Sequence, residues 1–333
     1  MNTRKFKTAV VGCGKISFNH LKSLAMLENV EVVALCDNKP EKAEARKNEF
    51  ELNSKIYTDF YEMLECEELD TVHIATPHYL HAPMTIAALE KGINVFLEKP
   101  ICINREQIKA MLEAEAKSTA RVCVSFQNRF NTSFLYAKKL IDEDGGALSG
   151  YGTVLWWRSA DYYKKSDWRG TYEKEGGGVM INQAIHTIDL LIQFLGKPVK
   201  VKATTANHHL RDVIEVEDTC EGIIGFENGT EANFYATNSF KGNDPVTIVI
   251  KSQNHKVELR GSDLYVDKHY IERVSSTGGI GKECYGNAHP IVIEKFYDAI
   301  VTGDPMPVTL ESAQYAVRVL LAAYESKDKD VFI

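Results

Sequence analysis

Short apolar runs alternate with helical stretches through the first third of the chain. Residues 8–11, 30–36, 56–57, 71–75, 94–97 and 121–126 are rich in β-branched and aliphatic side chains and predict strands. Between them, Leu21, Leu24, Ala25 and Leu27 recur at helical spacing, and residues 41–50, 60–66, 81–91 and 105–118 predict further helices. Thr58-Asp59 offers a cap for the third of these, and Gly92 a stop for the fourth. Strand–helix alternation of this kind implies right-handed crossovers and a parallel sheet covered on both faces.

From about residue 131 the pattern changes. A helix over 132–142 leads to a strand near 153–158, a polar aromatic loop over 159–175 and the run Gly176-Gly177-Gly178. A strong helix is predicted over 179–195, stopped by Gly196-Lys197-Pro198. Strands dominate afterwards, at 199–206, 220–226, 231–237, 246–251 and 256–260, and Glu227-Asn228-Gly229-Thr230 has hairpin-turn chemistry. Two helices, near 290–301 and 310–326, close the chain. The pattern divides it into residues 1–125 and 126–333.

The chemistry begins at Gly12-Cys13-Gly14-Lys15-Ile16-Ser17, which joins the first strand to the first helix. Gly12 permits a tight turn, Gly14 lets the backbone approach a pyrophosphate, and Ser17 stands where a third glycine is usual. The helix then presents unpaired N–H groups to phosphate. Asp37 ends the second strand roughly 20 residues on, where a carboxylate accepts from ribose hydroxyls, so this unit predicts a dinucleotide site. On such a sheet, ligands lie at the carboxyl ends of the strands, which puts Gly12, Asp37, Thr76, Pro77, Glu98, Lys99 and Pro100 along one rim.

Two residues are candidates for proton transfer. Lys99 ends a parallel strand, where partial burial beside a cationic nicotinamide would lower its pKa. From spacing alone it is equally a lysine solvating the loop before Pro100. On the 179–195 helix, Ile181, Ile185, Ile188, Ile192 and Leu195 form a core stripe. Asn182, His186 and Asp189 form a second, polar face, with Asp189 placed to orient the imidazole. A lone helical histidine is more often structural, but the upstream glycines, where a backbone could approach a ligand, weigh toward function.

These residues carry a resemblance. Gly12 to Ser17, Ala75-Thr76-Pro77 with His81, Glu98-Lys99-Pro100, and Gly176-Gly177-Gly178 leading to His186 and Asp189 resemble the glucose-fructose oxidoreductase / inositol dehydrogenase / rhizopine catabolism (Gfo/Idh/MocA) family. Asn128-Arg129-Phe130 and Ala322 to Ser326 extend the likeness over essentially the whole chain. The resemblance implies an α/β Rossmann domain at 1–125, followed at 126–333 by an α+β substrate-binding and oligomerisation domain with a large, mainly antiparallel open sheet. It implies NAD(P)-dependent oxidation or reduction of a hydroxyl or ketone on a sugar, polyol or related compound. Lys99 matches the family's catalytic lysine and His186 its catalytic histidine. Gly12, Gly14, Lys15, Ile16, Asp37, Thr76, Pro77, His78, His81, Glu98 and Lys99 are expected around NAD (or NADP). Lys99, Arg129, Tyr163, Trp168, Arg169, Asn182 and His186 are expected around the substrate, with Tyr162 beside them. An aromatic cluster that merely fixes the loop is the alternative for the tyrosines and tryptophan, and a tie between the domains is the alternative for Arg129. Many members carry aspartate where this chain has Asn182, which hydrogen-bonds but takes up no proton. An NAD-dependent glycosidase and a nucleotide-sensing protein without turnover are the competing function classes.

Composition narrows the partners. A net charge of −7 over 333 residues gives no general reason to expect nucleic acid or membrane contacts. The seven cysteines have no Cys-x-x-Cys pair and read as free thiols of a reducing compartment, the cytoplasm. His208, His209 and His289 lack metal-ligand spacing, so no metal is expected. An open sheet face invites a homodimer or homotetramer.

Overall fold

A computed structural model describes residues 5–271 and 288–333. They fall into two compact units, one of residues 5–102, 106–127 and 288–312, the other of 103–105, 128–271 and 313–333.

The first unit is the expected alternation: β1 (Phe6–Val11), α1 (Ser17–Leu24), β2 (Val30–Cys36), α2 (Pro40–Glu49), β3 (Lys55–Tyr57), α3 (Phe60–Cys66), β4 (Thr71–Ile74), α4 (His78–Glu90), β5 (Asn94–Leu97), α5 (Arg105–Lys117) and β6 (Val122–Val124). The six strands pair in parallel in the order β3-β2-β1-β4-β5-β6. The order reverses between β1 and β4, which opens a crevice at their carboxyl ends. Strand interiors such as Ala9, Val10, Val72, Val95 and Phe96 are fully buried, as a sheet covered on both faces requires. Asp59 caps α3 by accepting from the Glu62 N–H at 2.8 Å. Helix α4 starts three residues before the expected position 81, because Pro77 (φ −57°) presets its entry. The helix Ala288–Thr302 also belongs here and packs on α1.

The second unit contains α6 (Thr132–Glu143), β7 (Ser149–Trp157), α7 (Ala160–Lys164), a π-turn at Met180–Ala184, α8 (Ile185–Leu195), β8 (Pro198–Ala206), β9 (Thr219–Phe226), β10 (Glu231–Thr237), β11 (Ser239–Asn243), β12 (Thr247–Lys251), β13 (Lys256–Arg260), β14 (Asp263–Val266), β15 (His269–Ile271) and β16 (Val331–Phe332). Its ten-stranded sheet runs β15-β14-β13-β12-β7-β10-β9-β8-β16, with β11 beside β7. Only the β7–β10 pair is parallel; the other pairings are antiparallel. Helix α8 crosses one face, where Gly152 leaves room for Thr187 and Leu191. On the opposite face, Tyr151, Ile223 and Tyr235 stay exposed, and β10 alternates buried and exposed along its length. Four strands (β11, β14, β15, β16) were not expected, being short or weakly patterned. The loop at 159–175 carries the small helix α7. Six cysteines are described and all are free thiols; five are buried and Cys66 is exposed. Cys284 lies outside the described residues. Among those residues no helix is long and apolar enough to cross a membrane, and no cluster that could hold a metal ion occurs.

Candidate active site

The glycine turn is built as a cradle. Gly12 has φ +87°, and a Cβ there would lie 2.4 Å from the Ala75 carbonyl oxygen, so glycine is required. A Cβ at Gly14 would meet nothing within 4 Å, which leaves its backbone open on the approach side. Ser17 explains itself: its hydroxyl donates to the Gly14 carbonyl at 2.6 Å and closes the turn. Arg46 from α2, unnoticed in the sequence, donates to Ser17 Oγ at 3.1 Å and to the Gly14 carbonyl at 2.9 Å. Asp37 Oδ2 accepts from the Cys13 N–H at 2.8 Å and Oδ1 from the Lys39 N–H at 2.9 Å. The carboxylate thus sits at the turn with lone pairs to spare. Exposed Lys15 and half-buried Ile16 lead into α1. These features fit the adenosine and pyrophosphate of a dinucleotide.

Further along the same edge, Thr76 and Pro77 follow β4, and Lys99, half-buried, follows β5. His78 and His81 are buried on α4. His81 lies between main-chain carbonyls, 2.6 Å from Pro100 O and 2.9 Å from Thr76 O, and so ties the two rim loops together. Burial pushes its pKa down. Glu98 also turns inward. Its Oε1 is 2.9 Å from His20 Nε2, His20 Nδ1 is 3.0 Å from His73 Nδ1, and His73 Nε2 is 3.1 Å from the Tyr297 hydroxyl. Tyr297 in turn meets Thr8 Oγ1 at 2.7 Å and Thr71 Oγ1 at 3.2 Å. Burial opposes the charge on Glu98, but His20 wins and holds its carboxyl well below the usual range. Burial pushes His73 well down, so it stays neutral. The array thus runs from the Tyr297 hydroxyl through two imidazoles to the Glu98 carboxylate, which can only accept. No spacing rule in the sequence announces this array, since its members come from four separate elements.

In the second unit, the Gly176–Gly178 run was expected to admit a ligand. Instead the protein's own atoms fill the space: a Cβ at Gly176 would strike Ile103, one at Gly177 the Tyr324 hydroxyl, and one at Gly178 the Glu217 carbonyl oxygen, 1.9 Å away. Glu217, buried, accepts from the Gly178 N–H at 2.9 Å, the Met180 N–H at 3.0 Å and the Tyr324 hydroxyl at 3.2 Å. It caps the π-turn. Burial nevertheless pushes its carboxyl up to about 7 from 4.5. A carboxyl whose folded pKa lies above its unfolded value gives stability that is complete below pH 4.5 and lost as pH rises toward 7. Unfolding by urea should therefore show a loss of about 3 kcal/mol between pH 4.5 and 7.5 in the parent relative to Glu217→Gln. Parallel pH profiles for the two proteins would overturn that assignment.

From 175 to 192, Asn182 and His186 are the two positions that keep partial exposure. Asn182 lies in the π-turn and His186 in the first turn of α8. Asp189 does not join them. It is 1% exposed and gives Oδ2 to Arg129 Nε at 2.9 Å and Oδ1 to Arg129 Nη2 at 2.5 Å. The expected orienting bond to His186 is thus replaced by an ion pair with Arg129. Asn182 Nδ2 donates to Glu175 Oε1 at 2.5 Å, and Glu175 Oε2 accepts from the Gly170 N–H at 2.5 Å. An aspartate at 182 would face a second buried carboxylate, which accounts for the asparagine. Gln183, beside Asn182, accepts from Asn238 Nδ2 at 3.2 Å, and the same amide donates to the Tyr163 hydroxyl at 3.0 Å. Tyr163 is 4% exposed and packs on Leu210, Ile214 and Val216, so it anchors the loop. The Arg169 guanidinium lies 4.5 Å from the Trp168 ring centroid and 4.9 Å from that of Tyr162.

The six-stranded parallel sheet, its glycine cradle and the terminal aspartate define an NAD-binding oxidoreductase of Rossmann type. Residues 6–126 match the oxidoreductase family with an NAD-binding Rossmann fold, and residues 134–263 match the Gfo/Idh/MocA C-terminal domain. The chain belongs to the Gfo/Idh/MocA family. It is 26% identical to inositol 2-dehydrogenase of Salmonella typhimurium over 317 residues, 90% of this chain and 87% of that one. It is 31% identical over 196 residues to an NAD(+)-dependent scyllo-inositol 2-dehydrogenase of Bacillus subtilis, covering 58% and 55% of the two chains. The crystal structure of the WlbA dehydrogenase from Bordetella pertussis, in complex with NADH and UDP-GlcNAcA, is 26% identical and superposes with a TM-score of 0.87 over 99% of both chains.

Proposed function

We propose that this enzyme interconverts a secondary hydroxyl and a ketone on a sugar, polyol or sugar derivative, with NAD as the redox partner. Bound NAD supplies the hydride acceptor or donor. The observation that carries the reading is the pairing of the Gly12–Ser17 cradle, closed on Asp37, with Lys99 at the carboxyl end of a strand in the same sheet. Lys99 exchanges the hydroxyl proton; Glu98, held ionised by His20, fixes the charge next to it. His186 and Asn182, both partly exposed, hydrogen-bond substrate hydroxyls. Arg129 and Asp189 act behind them as a brace. The first unit, with the helix Ala288–Thr302, forms the cofactor domain, and the second unit the substrate and oligomerisation domain. The exposed sheet face bearing Tyr151, Ile223 and Tyr235 pairs two copies of the chain, and the cytoplasm is its compartment.

The test is a screen of inositols, aldoses, glycosides and nucleotide sugars, followed by absorbance of reduced nicotinamide. Turnover of none, with NAD bound, would remove the dehydrogenase reading.

Cofactor choice follows from Asp37. Its carboxylate accepts from a ribose 2′-hydroxyl and repels a 2′-phosphate. NAD should bind at least about tenfold more tightly than NADP, the scale of one charge contact. Tighter NADP binding, measured as dissociation constants, would reassign the pocket to Lys39 and Arg46.

A further inference from the structure

Two arginines of the second unit carry positive charge that its acids leave unanswered. The Arg169 guanidinium stacks on Trp168 and Tyr162, and its Nε–H is buried with no hydrogen-bond acceptor. The Arg158 guanidinium lies 4.8 Å from the Trp156 ring centroid and 5.4 Å from that of Tyr162. Arg158 spends Nη1 on the Trp157 carbonyl at 2.8 Å and on Asn243 Oδ1 at 3.1 Å. Among the described residues, neither guanidinium is bonded to a carboxylate, whereas Arg129 and Arg46 both are. A guanidinium laid flat on aromatic rings keeps its N–H edge directed outward, which is the geometry that reads carboxylate or phosphate.

The position of this pair gives it a purpose. Arg169 directly precedes Gly170, whose N–H shares the Glu175 carboxylate with the Asn182 side chain. The same loop is tied through Tyr163 and Asn238 to Gln183, three residues before His186. Rigid links therefore connect the aromatic–arginine stack to the turn that carries Asn182 and His186.

We propose that Arg158 and Arg169 form an anion subsite, so that the substrate is a sugar or polyol bearing a carboxylate or a phosphate. Arg169 is the principal contact and Arg158 the second; Trp156, Tyr162 and Trp168 hold both guanidinium planes. The inference rests on the carbohydrate reading above and narrows it to an acidic member of that class.

Binding to the full-length protein with NADH present tests this by calorimetry, with glucose, glucuronate, glucose 6-phosphate and UDP-glucuronate as probes. An acidic probe should bind at least about tenfold more tightly than glucose, the scale of one charge-assisted hydrogen bond. Which acidic probe leads distinguishes carboxylate from phosphate. Arg169→Met, which keeps bulk on the rings, should lose that advantage of the acidic probes over glucose, and Arg169→Lys should restore part of it. If Arg169→Met does not fold, the parent decides: acidic-probe affinity should fall between 0.02 and 0.3 M salt, on the scale expected for screening of a charge contact, with glucose affinity level. Equal binding of glucose and every acidic probe overturns the proposal, as does an advantage that survives in Arg169→Met. Acidic-probe binding without turnover of any probe would leave the subsite standing and count against the dehydrogenase reading alone.

Discussion

Replacing Lys99 by methionine should lower turnover by about 10²-fold or more and leave NADH affinity within about twofold of the parent, because acid–base help is worth that much and ground-state cofactor contacts are not. Lys99 follows β5 in a half-buried position, next to Glu98, whose carboxyl His20 holds well below the usual range. Methionine matches the aliphatic stem, so packing around the loop is preserved. Arginine should not rescue the variant: it keeps the charge but stays protonated at any working pH and cannot pass a proton on. The measurements are kcat on the first substrate found in the screen and NADH affinity by fluorescence. Parent-like turnover in Lys99→Met would leave Lys99 as a loop residue and move the proton chemistry to the second unit. A matched loss of NADH binding would instead make it a cofactor ligand.

The cofactor half of the site was legible because its chemistry is local in sequence. Gly12, Gly14, Ser17 and Asp37 are spaced by one strand, one turn and one helix, and each acts through the nearest backbone. Even the departure at Ser17 yields to local reasoning once its hydroxyl is seen closing the turn on Gly14. Parallel pairing followed from the alternation of apolar runs with helices, since right-handed crossovers return each strand in the same direction; the strand order did not.

The rest depends on partners far apart in the chain. Asn182, His186 and Asp189 fall near one face of an ideal helix, but on α8 His186 keeps partial exposure while Asp189, one turn on, is buried against Arg129, a partner 60 residues away in the chain. The sequence around 176–178 shows only that bulk is excluded; Ile103, Tyr324 and Glu217 show by what. The Glu98–His20–His73–Tyr297 array spans residues 20 to 297, and no period or motif connects them. Strands β14 and β15 are too short to stand out from turn-rich flanks.

Removing one member of the buried Arg129–Asp189 pair should be among the costliest single changes in the second unit. Asp189 is 1% exposed, and both its oxygens are taken by Arg129. Burial pushes the Asp189 carboxyl up even with the guanidinium present, so charge is retained there only at a cost. Arg129→Met removes the compensation and leaves a carboxylate that must be buried unpaired or take up a proton. The expected loss is about 3–5 kcal/mol, read from urea midpoints near pH 7. It should shrink as pH falls, because the folded variant then binds the proton that neutralises Asp189. Arg129→Met combined with Asp189→Leu should recover most of the loss, since an apolar pair of similar volume needs no desolvation. If the double variant is as stable as the parent but its substrate KM rises, the pair's role is to fix the His186 face of α8. If Arg129→Met alone costs under about 1 kcal/mol, the pair behaves as an exposed one and the brace assignment fails.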